Sequence, residues 1–332
     1  MPPPKFIIGS LAFGKAFTVE EQDLLIPFMR ELGVKEADSG PTWPLHAPGT
    51  AEQMIGAMLQ YMSQDYIVDS RVECMGNGDG TMTADAIAKS LDRTLANLGL
   101  KKLNIFYCDR PDYKTPVAEQ AGAIDKAYRE GKFTMFGVCN FPIPFLEEWL
   151  QVCDEKGYVK PKVFQGMYNL LCRTYEETHF ALLRKHGIRF FAHSPIAGGF
   201  LTGKVTFAAD PSELEGTRWE KGPGNTFGNA YIACYDKPSM HDAVRTMSKL
   251  CEAHAIGLFD AAVRWSFYHS KLVGGPILSE KGDGVVLGAH NLSTLRKYVD
   301  AYVAGPLPED LAKGLDGLWD GVREDASPLL AW

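Results

Sequence analysis

Short β-rich runs alternate with amphipathic helical runs from one end of this chain to the other, and that alternation constrains its fold more than any other feature. The predicted strands lie near Phe6 to Gly9, Val34 to Asp38, Tyr66 to Arg71, Leu103 to Asp109, Thr134 to Asn140, Val163 to Gly166, Ile188 to His193 and Val285 to Gly288. Eight strand and helix units in 332 residues predict one (β/α)8 barrel domain, with a doubly wound open sheet as the alternative. In a barrel, the working residues sit at the C-terminal ends of the strands.

The helices are legible from their spacing. Ile87, Leu91, Leu95 and Leu98 fall on one face, Thr83 can cap the start and Gly99 closes the end. Pro116 opens the next helix, to Glu130, and Gly131 follows it. One helix is predicted from Glu176 to Lys185. The stretch from Phe207 to Pro238 is rich in Gly, Pro, Asn and Asp without clear periodicity, and reads as a long loop after the seventh strand, a candidate lid.

Composition narrows the function. The 34 basic and 41 acidic residues give a net charge of -7 with no block of one sign, which argues against a nucleic-acid partner. No run of about 18 apolar residues and no leader-like start is present, so a soluble protein without a membrane partner is expected. The seven cysteines are scattered, with neither CxxC nor a zinc spacing, which fits a reducing cytoplasm and no metal.

The segment His193 to Lys204, HSPIAGGFLTGK, follows a strand directly. Its glycines let backbone amides approach an anion, and Lys204 adds charge, so it reads either as a phosphate cradle or as a glycine-rich turn with a solvated lysine. With it stand GSLAFG (Gly9 to Gly14), EADSG (Glu36 to Gly40), YCDRPD (Tyr107 to Asp112), GKFTMFGVCNF (Gly131 to Phe141), VFQGMYN (Val163 to Asn169) and VVLGAHNLSTL (Val285 to Leu295). In order and spacing these resemble an aldo-keto reductase, closest to the aflatoxin-aldehyde reductase branch. The resemblance implies a (β/α)8 barrel with a nicotinamide cofactor across the strand ends.

It also implies a catalytic tyrosine, lysine, aspartate and histidine, and here only the aspartate matches, as Asp38. Trp43, Arg71 and Asp109 stand at the other three positions. An indole N–H is not a usable acid and a guanidinium stays protonated, so ordinary carbonyl reduction is expected to fail. Instead Asp38 is expected to pair with Arg71 under Trp43, leaving Asp109 as the candidate acid and His193 as a second acid or base. The leading expectation is a non-redox acid-catalysed step, a rearrangement, dehydration or cyclisation, on a small organic molecule such as a natural product. The alternatives are an NADPH-dependent carbonyl reductase with Asp109 or His193 as proton donor, an inactive binding or regulatory subunit, and a structural ion triad in a decayed site.

For the cofactor, the resemblance implies that Gly9, Ser10 and Leu11 lie under the nicotinamide ribose, that Asn140 and Gln165 hold the carboxamide, and that Tyr168 stacks on the ring. Ser194, Gly198, Gly199, Leu201, Gly203 and Lys204 would cradle the pyrophosphate, and His290 and Arg296 would meet the adenosine end, with Arg296 or Lys297 on a 2′-phosphate. Cys139, His290, Thr294 and Tyr298 depart from the family there, so NADP(H) binding is expected to be weakened or lost. A monomer or homodimer is expected.

Overall fold

In the computed structural model, residues 2–15, 17, 19–31, 33–61, 66–74, 78–275 and 282–327 are described. Eight parallel strands close into a barrel in sequence order: β1 (Lys5–Gly9), β2 (Glu36–Asp38), β3 (Ile67–Arg71), β4 (Leu103–Cys108), β5 (Phe133–Cys139), β6 (Val163–Met167), β7 (Arg189–His193) and β8 (Gly284–Gly288). β8 pairs with β1, from Lys5 opposite Gly284 to Gly9 opposite Gly288, so no strand edge is left open. This is the (β/α)8 barrel, and the open-sheet alternative is excluded.

Two cores follow from the strand period of two. Inward side chains, among them Ile7, Ile105, Tyr107, Cys139, Val163, Phe191 and Val286, fill the barrel. Outward ones such as Ile8, Phe106, Val138 and Phe164 pack under the helices. The helix Ala84–Leu98 shows how each crossover is held: Thr83 Oγ1 accepts from Ala86 N at 3.2 Å, and Gly99 ends it at φ 64°. Ile87, Leu91 and Leu98 are buried, each such burial contributing about 1.5–3 kcal/mol.

Two departures from the sequence expectation bear on the site. The helix expected from Glu176 to Lys185 is two, Thr174–Thr178 and Phe180–Lys185, parted at His179, whose Nε2 lies 2.9 Å from the Phe141 carbonyl. The stretch from Phe207 to Pro238 is not an unstructured loop: it holds a short 3-10 turn, Pro211–Leu214, and a helix, Thr226–Tyr235. Trp219, Tyr231 and Tyr235 are buried, and Asn169 Nδ2 donates to Tyr235 Oη at 2.8 Å, tying the segment to the turn after β6.

Candidate functional site at the strand ends

Arg71, at the end of β3, organises the barrel mouth. Its Nη2 donates to both Asp38 oxygens at 2.7 Å and to Gln165 Oε1 at 3.2 Å. Nη1 donates to Asp109 Oδ1 at 2.8 Å and faces Cys139 Sγ at 3.9 Å, while Nε donates to the Ser39 carbonyl at 3.1 Å. The Trp43 ring covers the guanidinium at 4.5 Å, a cation–π contact in a low-dielectric setting. All five N–H directions of Arg71 therefore have a protein partner, and its side chain is only 7% exposed. It is a saturated cation that holds its neighbours, with no donor left for a substrate.

The electrostatics follow from burial. Asp38 is 2% exposed, and burial holds its carboxyl above the usual carboxylate range against the lowering pull of Arg71 and Gln165. Burial also works against the charge on Arg71, but Asp38, Cys139 and Asp109 outweigh it and hold the guanidinium above its ordinary value. The Cys139 thiol is pushed well up by burial. His193 goes the other way: burial, then Arg71, push its imidazole down to about 4, with Asp109 opposing and Arg218 adding to the fall. At neutral pH His193 is uncharged.

The expectation that Arg71 pairs with Asp38 and leaves Asp109 free to carry a proton does not fit this geometry. Arg71 pairs with both carboxylates, and Arg110 Nη2 brings a second guanidinium to 3.6 Å from Asp109 Oδ2. Two nitrogens at the mouth are not spent in this way: the indole N–H of half-buried Trp43 and the Nε2 atom of His193 have no hydrogen-bond partner among the described residues.

The positions expected to hold a nucleotide divide into three groups. Some are committed elsewhere. Ser10 is fully buried, and its hydroxyl donates to Ser39 Oγ at 2.9 Å. Gln165 has both amide ends engaged, Nε2 donating to Asp38 Oδ1 at 3.0 Å. Arg296 lies over Phe28 and is paired with Glu31 at 3.2 Å rather than standing free for a 2′-phosphate. Tyr168 corrects the expectation of ring stacking: it is fully buried against Phe180, Phe190 and Trp265, its O–H donates to Glu176, and Lys271 N donates to it. Leu201 is likewise core. Tyr298 is buried against Phe259, 4.8 Å between ring centroids.

A second group suits an anion. Gly9 and Leu11 flank the end of β1, and Asn140, at φ 56°, donates from Nδ2 to the Asp109 carbonyl at 3.1 Å. After β7 the backbone turns left-handed at Ser194, Ala197, Gly198, Gly199 and Gly203, a run that directs successive amides into a concave loop, with Lys204 exposed behind it.

The third group was not anticipated. Arg218 comes from the 207–238 segment and lies 4.6 Å over the Tyr231 ring. Among the described residues it has no carboxylate partner, and its field reaches His193, His290 and Tyr298. Partial burial, then Arg218 and Lys15, lower the His290 imidazole. Trp219 Nε1 donates to the Gly198 carbonyl at 3.0 Å, and a Cβ at Gly198 would sit 2.6 Å from the Tyr231 ring. A basic residue among loop glycines followed by tyrosines four apart, Tyr231 and Tyr235, was the available signal. The left-handed loop, Arg218, Lys15 and His290 lie at the β1, β7 and β8 ends and form a basic concave surface whose chemistry fits the phosphates of a nucleotide.

Among the described residues, no group of three or more His, Cys, Asp or Glu is placed to hold a metal ion, and no helix is long and apolar enough to cross a membrane. The sequence profile of the Aldo/keto reductase family matches residues 5–320. The oxidoreductase sirO of Leptosphaeria maculans is 31% identical over 97% of this chain and 96% of its own length. An aldo-keto reductase of Pseudocercospora fijiensis is 30% identical over 85% of the chain and 93% of its own length. The human aflatoxin B1 aldehyde reductase member 2 is 28% identical over 98% and 89%.

Proposed function

The chain belongs to the aldo/keto reductase family, and from that premise we propose that it is an NADP(H)-linked reductase of small carbonyl compounds whose proton donor is His193 rather than a phenol. The observation that carries the reading is the state of His193: at the end of β7, uncharged at neutral pH, with Nε2 free of partners among the described residues. When bound, NADP(H) supplies the hydride. His193 Nε2–H donates to the carbonyl oxygen as negative charge develops there, the alkoxide takes that proton to become the alcohol, and water at the mouth reprotonates the imidazolate so formed. The Trp43 indole N–H is a second donor for the same oxygen.

Arg71 has a different part. With its donors taken by Asp38, Asp109, Gln165 and Ser39, it fixes the mouth and supplies a permanent positive field beneath the reacting oxygen. Arg218, Lys15, Lys204 and the left-handed loop after β7 would hold the phosphates, and Asn140 the carboxamide. The names of the relatives, an oxidoreductase and aldehyde reductases, support the same reading.

A non-redox acid step has less support. Asp109 faces two guanidinium groups, and Asp38 is enclosed with both oxygens bonded to Arg71. The deciding experiment is titration with NADPH, followed by nucleotide fluorescence and melting temperature, then NADPH oxidation with aldehydes. Saturable binding that raises the melting temperature is expected, because a ligand that binds only the native state stabilises it. No binding at millimolar nucleotide overturns the proposal and returns the search to epoxides and alcohols.

A further inference from the structure

His193 Nδ1 lies 2.9 Å from Ser194 Oγ, and Ser194 Oγ lies 2.5 Å from Tyr231 Oη. These groups form an unbroken chain from the barrel mouth to the helix Thr226–Tyr235 of the segment that packs over the β7 loop. The Tyr231 ring is well fixed, lying over Gly198, under the Arg218 guanidinium and stacked at 6.2 Å on Tyr235. Ser194 is itself held in the left-handed region at φ 60°.

Chemistry sets a direction along the chain. A phenol is a stronger donor than an alkyl hydroxyl, which favours Tyr231 O–H donating to Ser194 Oγ and makes the Ser194 hydrogen available to His193 Nδ1, the other atom within hydrogen-bond reach of that oxygen. A neutral imidazole that accepts at Nδ1 carries its hydrogen on Nε2. The other charged groups acting on the ring are Arg71, Asp109 and Arg218. None of them hydrogen-bonds Nδ1, whose partner among the described residues is the Ser194 hydroxyl, and that hydroxyl is left to choose the tautomer.

We propose that Tyr231, acting through Ser194, is a positioning residue that fixes His193 as its Nε2–H tautomer and so aims a donor at the substrate oxygen. The seating of the 207–238 segment thereby determines which His193 nitrogen carries the hydrogen. The catalytic consequence rests on the reductase reading, whereas the tautomer itself does not.

The test uses the full chain with 15N-labelled histidine, reading the two ring nitrogens by long-range proton–nitrogen correlation. Wild type is expected to carry the hydrogen on Nε2, with Tyr231→Phe showing a larger share of the Nδ1–H form and Ser194→Ala a larger share still. Tyr231→Phe keeps the ring and its packing. Hydrogen on Nδ1 in wild type, or an unchanged tautomer in Tyr231→Phe, overturns the proposal.

In the presence of NADPH and 4-nitrobenzaldehyde, both variants are expected to lose about 10- to 100-fold in kcat, part of what a positioned acid contributes, and Tyr231→Phe, which keeps its ring under Arg218, is expected to leave KM for NADPH unchanged. Unchanged kcat beside an altered tautomer overturns the catalytic half. If wild type oxidises no NADPH, the reductase reading fails on its own, and the nitrogen spectra still decide the tautomer.

Discussion

Nη2 of Arg71 lies 2.7 Å from each oxygen of Asp38, and both side chains are almost wholly enclosed. A buried ion pair gives little net stability, but removing one partner strands the other charge. Arg71→Met is therefore expected to cost about 3–5 kcal/mol, measured by urea denaturation. Adding Asp38→Asn should recover a substantial part. If the double variant is no more stable than the single one, the stranded Asp38 carboxylate is not the source of the loss.

His193 makes a pH-dependent contribution whose sign is fixed by its shift. The folded state holds this imidazole down at about 4, against an ordinary 6.5, so between those values the unfolded chain binds more protons. Stability from this group is complete above about pH 6.5 and is lost as pH falls toward 4. The difference in melting temperature between wild type and His193→Gln should drift in favour of the variant as pH is lowered through this window. A difference that stays constant across it contradicts the account.

Glu52, fully buried on the helix Thr50–Leu59, accepts from Ser70 Oγ at 2.8 Å, and from Thr94 Oγ1 and Asn97 Nδ2 at 2.9 Å each. It joins β3 to the two helices that flank it. Glu52→Ala leaves three donors without an acceptor, and at about 1–3 kcal/mol for each unsatisfied group the loss should exceed about 3 kcal/mol. Glu52→Gln keeps an acceptor and should cost less. Equal losses in the two variants, read from denaturation midpoints, would point to packing rather than hydrogen bonding.

Gly198 stands at φ 64°, where a Cβ would meet the Tyr231 ring at 2.6 Å. Gly198→Ala adds about 1–2 kcal/mol of backbone strain to that clash. The strain falls on the seating of the 207–238 segment and leaves the barrel core intact. Trypsin should then cut after exposed Lys221 about 5- to 30-fold faster, the factor that 1–2 kcal/mol of easier local opening gives. Unaltered cleavage would show that the glycine does not govern how the segment is held.

The barrel was legible because its signals are local: a period of two in the strands, a period near four in helices such as Ala84–Leu98, and caps at Thr83 and Gly99. Asp38, Arg71 and Asp109 could be brought together because consecutive parallel strands put their C-terminal ends side by side. Gln165 was assigned a different partner because its bond to Asp38 crosses the barrel interior, which no local pattern encodes. Burial of Tyr168 was hidden for the same reason, since its neighbours Phe180, Phe190 and Trp265 come from three separate elements. The 207–238 segment looked featureless because its order comes from Trp219, Tyr231 and Tyr235 packing on the rest of the molecule and not from its own periodicity.

The hydrogen bond from Gln165 to Asp38 joins residues 127 positions apart, and the one from Arg71 to Gln165 joins residues 94 apart. The first four strands position the charges, and the sixth brings the amide that bridges them. Contacts of such long sequence separation form only after the loop-closure entropy of the intervening chain has been overcome. Arg71 can meet Asp38 while only β2 and β3 are in place, but the amide joins them only when β6 has come round. The Asp38–Gln165 bond is thus a latch that only a finished ring of strands can close.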